Sequence, residues 1–190
     1  MTTSSPSLRP PVEVASWKTT DTDGILRLLD QTQLPEVVEF KDCPTVQDTY
    51  DAIQTMVVRG APAIGVAAGY GMVLAAREAA GDWDEFLRLG EFLASSRPTA
   101  VNLAWAVNRM TQVAKENGLT EDILLDQACK IHAEDEKMCL AIGRNAAPVL
   151  SGRGGILTHC NAGALATGGI GTATAGMYTL HASGEAIKVY

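Results

Sequence analysis

The sequence predicts an α/β protein: a small β meander and a helical domain, followed by the first βαβ unit of a parallel sheet. Three observations carry this expectation. Short apolar runs bounded by turn residues fill Val12 to Cys43. From Thr45 to Leu150, apolar residues recur at helical spacing between Gly and Pro breaks. Beyond that, Gly155-Ile156-Leu157-Thr158 has the length and character of a buried parallel strand. A Gly- and Thr-rich turn follows it, then a helical segment over Thr172 to Ala182 and a second apolar run, Ala186 to Tyr190.

Taken in order, Met1 to Pro11 is rich in Ser, Thr and Pro, and residues 1–11 are expected to form a flexible tail. Residues 12–150 hold the meander and the helices, and 151–190 the βαβ unit. Within the meander, Thr22-Asp23-Gly24 makes a turn, and Ile25 to Asp30 and Val37 to Phe40 are strands, with Pro35 in the turn between them. Thr45 to Arg59 reads as a helix through Val46, Tyr50, Ile53 and Val57. Gly60 stops it, and Pro62 opens a second helix that runs to about Ala80. That helix is almost entirely small or apolar, so it must be buried, with Gly65 and Gly69 allowing close backbone approach.

Asp82 to Leu93 forms an acidic amphipathic helix, and Pro98 precedes another that carries Trp105, Val107 and Met110. Asn117-Gly118 ends it, and Thr120-Glu121-Asp122 starts a long helix ending between Asn145 and Leu150. On that helix Glu134-Asp135-Glu136 reads as a solvated acidic face, His132 as structural, and Cys129 and Cys139 as small buried residues. A single βαβ unit is too small for a stable doubly wound sheet, so the chain is expected to continue past Tyr190.

Composition narrows the function. The values are those of an ordered globular chain, 46% hydrophobic and 19% charged, and the net charge of −7 disfavours a nucleic-acid reader. Four cysteines at 43, 129, 139 and 160 include no closely spaced pair of zinc-finger type. With no apolar leader and no run of membrane-spanning length, the expectation is a reduced, cytoplasmic protein without a membrane partner.

Arg59 and Arg97 stand out because each is a permanent cation at a break just before a proline-started helix. Either could cap the finished helix or pair with a carboxylate. Either could also bind phosphate, since a guanidinium beside free helix N–H groups suits that anion. Cys160 ends the apolar run that starts at Gly155, where ligands bind in parallel sheets, and is a candidate proton-exchanging thiol or a buried inert one. His159 precedes it on the same run, so its side chain is expected to point the other way and to be structural. Asn161 and the main chain around Gly163 could hold substrate hydroxyls or phosphate, or could simply shape the turn.

Three stretches bear a resemblance to a known family. Val58-Arg59-Gly60-Ala61-Pro62-Ala63-Ile64-Gly65, Ser96-Arg97-Pro98-Thr99-Ala100-Val101-Asn102 and Leu157-Thr158-His159-Cys160-Asn161-Ala162-Gly163-Ala164-Leu165-Ala166-Thr167 resemble the methylthioribose-1-phosphate isomerases. That group also includes ribose-1,5-bisphosphate isomerases and regulatory subunits of translation initiation factor 2B. The resemblance implies conversion of 5-methylthioribose 1-phosphate to 5-methylthioribulose 1-phosphate in methionine salvage, with no metal or organic cofactor. It implies a homodimer and a helical N-terminal domain before a Rossmann-like C-terminal domain, incomplete at Tyr190. It places the catalytic cysteine on Cys160 and phosphate-binding arginines on Arg59 and Arg97. Gly60, Ala61, Asn161 and Gly163 complete the expected substrate-binding set. The family's partner aspartate lies beyond the last residue here, and no acid of this sequence is assigned its role. Ribose-1,5-bisphosphate isomerase and a non-catalytic regulatory subunit are the alternatives.

Overall fold

The computed structural model describes residues 8–20 and 23–190. Most of the expected tail, residues 1–7, lies outside the described residues, as do 21 and 22 in the expected Thr22 turn. Leu8, at the start of the described chain, packs against the small apolar cluster of Cys139, Ile170 and Ala175.

Three antiparallel strands in the order β1-β2-β3 form the meander: β1 Ala15–Thr19, β2 Gly24–Leu29 and β3 Phe40–Cys43. Alternation sets the faces, Leu26 and Leu28 turning into the core while Arg27 turns out. On the outer face Arg27 sits opposite Asp42, and its guanidinium donates to both carboxylate oxygens at 2.6 and 3.0 Å. The strand expected at Val37 to Phe40 instead runs from Phe40. Val37 and Val38 are exposed, because the pairing follows the register that puts Cys43 beside Leu26 in the core and Asp42 beside Arg27.

Helix α1, Val46–Gln54, begins at a capping box in which Thr45 Oγ1 accepts from the Asp48 amide at 3.1 Å. It ends five residues short of the expected Arg59. Thr55 Oγ1 donates back to the Asp51 carbonyl at 2.6 Å, and Met56 takes a left-handed backbone with φ 63°. The freed segment carries Val57 and Val58 into the core and brings Arg59 to the surface of a cleft.

Helix α2, Ala61–Ala79, is the axis of the molecule, with fifteen of its nineteen residues buried. It packs on β1, β2 and every helix from α1 to α5. Gly65 lets it approach the start of α4 closely, since a Cβ there would stand 3.2 Å from Asn102. Around it lie α3 (Trp83–Ala94), α4 (Val101–Asn117) and α5 (Glu121–Leu150). Asp82 caps α3 by accepting from the Asp84 and Glu85 amides at 3.0 and 3.1 Å. Side chains such as Phe86, Leu93, Leu103, Met110 and Leu124 close the core, each contributing about 1.5–3 kcal/mol on burial.

The second half departs from expectation. Helix α6 spans Ala175–Ala182, shorter than the predicted Thr172 to Ala182, and lies along the end of α5. The two runs read as parallel strands meet only at an isolated bridge between Ile156 and Val189. Ile156 N–H donates to Lys188 at 2.8 Å, and Tyr190 N–H donates to Ile156 at 2.9 Å. No parallel, Rossmann-type sheet is present among the described residues. A parallel ladder needs cover on both faces, and here Leu157 is 81% exposed with Val189 and Tyr190 also open to solvent. Among the described residues the architecture is therefore an antiparallel meander with a bundle of six helices. Among the described residues, no helix is long and apolar enough to cross a membrane.

Candidate active site

Three chain segments converge on a cleft of about 690 Å³. The first is Met56 and Arg59 to Pro62 with Ile64, the second Arg97 to Val101 without Pro98, and the third His159 to Ala173 in part. All seven residues singled out from the sequence (Arg59, Gly60, Ala61, Arg97, Cys160, Asn161 and Gly163) line it.

Local chemistry explains the convergence. Gly60 caps α2 with φ 96°, a conformation that side-chain-bearing residues rarely adopt. This turn presses on the short 3₁₀ turn Gly163–Ala166, since a Cβ on Gly60 would lie 2.5 Å from the Ala166 Cα. The second segment enters through Pro98 and starts α4 at Ala100. Neither α2 nor α4 has a side-chain cap, so both helices begin at the cleft wall with first-turn N–H groups available to an anion.

The electrostatics point the same way. The described ion pairs take Arg27, Arg77, Arg88, Arg109 and Lys130 as their cations, leaving Arg59 and Arg97 outside all of them. Arg59 therefore does not pair with a core carboxylate. Its Nε is buried without a hydrogen-bond partner among the described residues, and so is Asn161 Nδ2. Although the chain holds 22 acidic residues, none of those among the described residues lines the cleft. An acidic protein thus presents one concavity with two free guanidinium groups and no carboxylate, which selects an anionic ligand.

Cys160 is exposed and has a left-handed backbone with φ 75°. A non-glycine residue there carries strain on the order of 1–3 kcal/mol. The same geometry corrects the reading of His159. The alternation of an extended strand does not hold where φ is positive, and His159 lines the cleft together with Cys160. Sequence reasoning also passed over Thr99, Thr167 and Thr172 in the lining. Only their place in Gly- and Pro-rich turns beside the motif residues could have signalled them.

Two readings of α5 need correction. Asp135 does not belong to a solvated face: it is buried, and its Oδ2 accepts from the Gly168 N–H at 2.6 Å. The i, i+3 spacing puts it on the inward face with His132, while Glu134 and Glu136 stay outside. Burial raises the Asp135 pKa, against the opposing Gly168 hydrogen bond and the nearby His132. Cys129, expected to be buried, is exposed, whereas Cys139 is fully buried. Among the described residues, no cluster of three or more His, Cys, Asp or Glu side chains is placed to hold a metal ion.

Fold and cleft together define a helical scaffold with a concavity lined by two guanidinium groups and a thiol. The initiation factor 2 subunit family matches residues 57–190, and the chain belongs to that family. Among its relatives, the 5-deoxyribose 1-phosphate isomerase of Bacillus cereus is 46% identical over 184 residues, covering 92% of this chain and 52% of that protein. The same-named protein of Moorella thermoacetica is 44% identical over 191 residues, covering 95% and 53%. Two solved structures share the fold. The 5-methylthioribose 1-phosphate isomerase of Pyrococcus horikoshii aligns with a TM-score of 0.80 at 35% identity, covering 92% of this chain and 51% of that one. The translation initiation factor eIF-2B subunit delta of A. fulgidus aligns with a TM-score of 0.81 at 36% identity, covering 96% and 54%. The chain spans about half the length of the curated relatives it matches.

Proposed function

We propose that the protein serves an aldose–ketose isomerase acting on a pentose 1-phosphate, with 5-methylthioribose 1-phosphate as substrate and 5-methylthioribulose 1-phosphate as product. The supporting observation is the cleft itself, where an exposed thiol and two unpaired arginines share a wall with two uncapped helix starts and no carboxylate. The relatives named for 5-deoxyribose 1-phosphate make that sugar the competing substrate. Neither sugar has a second phosphate, in keeping with a cleft whose cations number two.

The reaction has a definite demand. Phosphate on the anomeric carbon blocks simple opening to an aldehyde, so the bond from C1 to the ring oxygen must break while phosphate stays. The ring oxygen gains a proton, C1 gains a hydrogen, and C2 loses a hydrogen and its hydroxyl proton to become a carbonyl. Arg59, Arg97 and the first turns of α2 and α4 retain the phosphate. Cys160 and His159 are the side chains of the described lining that supply acid–base chemistry.

Replacing Cys160 by Ala should lower turnover by about 10²–10⁴-fold, the range for a lost acid–base group, while the sugar phosphate still binds. Near-normal turnover would remove Cys160 from the chemistry. Arg97→Ala should weaken binding by about tenfold or more, as expected for a lost charged hydrogen bond. An unchanged dissociation constant would take Arg97 out of the phosphate site. The likeness to the A. fulgidus initiation factor subunit supports a second reading, a non-catalytic assembly subunit. Turnover of either sugar phosphate that depends on Cys160 excludes it.

A further inference from the structure

The far wall of the cleft, Gly163 to Thr172, contains one short 3₁₀ turn and otherwise no backbone ladder. Its shape must therefore come from side chains. Seven polar side chains are buried among the described residues, and four of them (Gln31, His132, Asp135 and Thr167) bond to this one segment. Gln31 Nε2 donates to the Leu165 carbonyl at 2.8 Å. Thr167 Oγ1 accepts from the amides of Gly169 and Gly171 at 3.2 and 3.1 Å.

Gly168 is held most completely. Its N–H donates to Asp135 at 2.6 Å, and its carbonyl accepts from His132 Nε2 at 3.1 Å. Both partners come from one turn of α5, and they are only 8% and 9% exposed. The other ring nitrogen of His132 lies 3.2 Å from the Tyr70 hydroxyl on α2, which anchors the imidazole to the central helix. No larger residue fits at 168, because a Cβ there would meet His132 Cδ2 at 2.6 Å. Burying a carboxylate and an imidazole is costly without partners, so a pair placed this deep with both bonds aimed at one main-chain unit points to a positional role. The neighbouring Ala166, Thr167 and Thr172 face the cleft.

We propose that Asp135 and His132 are positioning residues that fix both main-chain polar groups of Gly168 and so set where the Gly163 to Thr172 wall stands opposite Arg59 and Arg97. The clamp stands on geometry alone; its effect on ligand affinity rests on the phosphate-binding reading above. The test uses the 190-residue chain with Asp135→Ala, Asp135→Asn and His132→Phe. The Asn variant keeps a carbonyl acceptor for Gly168, and the Phe variant keeps a ring in place should the Ala variant fail to fold.

Amide exchange in a peptide spanning 163–171 is expected to accelerate at least tenfold in Asp135→Ala and His132→Phe, with α2 amides unchanged and Asp135→Asn close to wild type. Inorganic phosphate should bind at least tenfold more weakly to the two disrupted variants and within threefold to Asp135→Asn. Wild-type exchange in the wall, or acceleration spread evenly through the core, overturns the clamp. A loosened wall with phosphate affinity unchanged overturns its positioning role. A loosened wall in a chain whose wild type binds no phosphate upholds the clamp and sinks the phosphate-binding reading instead.

Discussion

Replacing Gly60 by Ala tests the joint on which the cleft depends. Two costs add at this position. The backbone sits at φ 96° and ψ 127°, where a residue with a side chain is strained by about 1–3 kcal/mol. The new methyl would also lie 2.5 Å from the Ala166 Cα and 2.7 Å from its carbonyl oxygen, about 1 Å inside ordinary contact. Overpacking of this kind costs about 1–3 kcal/mol, because the atoms met are backbone and cannot rotate away. The expected loss is therefore about 2–6 kcal/mol, read as a fall in the urea midpoint by circular dichroism with the slope unchanged. Gly81→Ala is the control. It shares a positive φ, 91°, but a Cβ there meets nothing within 4 Å, so it should cost only about 1–2 kcal/mol. If both variants lose the same amount, or Gly60→Ala loses less than about 0.5 kcal/mol, the contact between the start of α2 and the Gly163 turn does not exist as described.

Two further outcomes follow from the burial and charge pattern. Brief alkylation of the folded chain should label Cys129 and Cys160, which are exposed, and spare Cys43 and Cys139 until denaturant is added. Burial pushes the Cys43 thiol up to about 12 and raises Cys139 as well, so mass-spectrometric detection of either in the native state would contradict the core. Glu121 is held below the usual carboxylate range by its hydrogen bonds to Arg77, whose guanidinium also lies 5.8 Å from the Trp17 ring centre. A lowered folded-state pKa gives stability that is present above the unfolded value and is lost as pH falls through the folded one. Glu121→Gln should therefore cost at most about 1 kcal/mol at neutral pH, the pair being partly exposed, and should converge with wild type in acid. A difference that grows on acidification would refute the pairing.

Much of the site could be read from residue types. Arg59-Gly60-Ala61-Pro62 and Arg97-Pro98 announce helix breaks that carry cations, and a break is where main-chain N–H groups come free. The helices were legible because α2, α3 and α5 have apolar periodicity or uniform smallness over many residues. What failed were inferences that needed knowledge of the surroundings. Gly155 to Thr158 has the composition of a buried strand, but composition does not say what covers it, and Leu157 lies open. The early end of α1 depends on a left-handed Met56, which no preference of methionine foretells. Asp135 lies in an acidic run whose charge conceals that the face each residue occupies, here the inward one, decides its burial. Strand alternation directs His159 away from Cys160, and the positive φ of Cys160 cancels that alternation.

The two jaws of the cleft are made of different materials. One is the head of α2, continuous with a helix sunk in the core over nearly its whole length, so its stiffness comes from hydrophobic packing and disappears only when the protein unfolds. The other has no ladder of its own and is tied to the rest of the fold by polar bonds at Leu165 and Gly168 and by the buried Ala166 and Ile170. The position of that second jaw therefore answers to single polar side chains, and that of the head of α2 to the whole core.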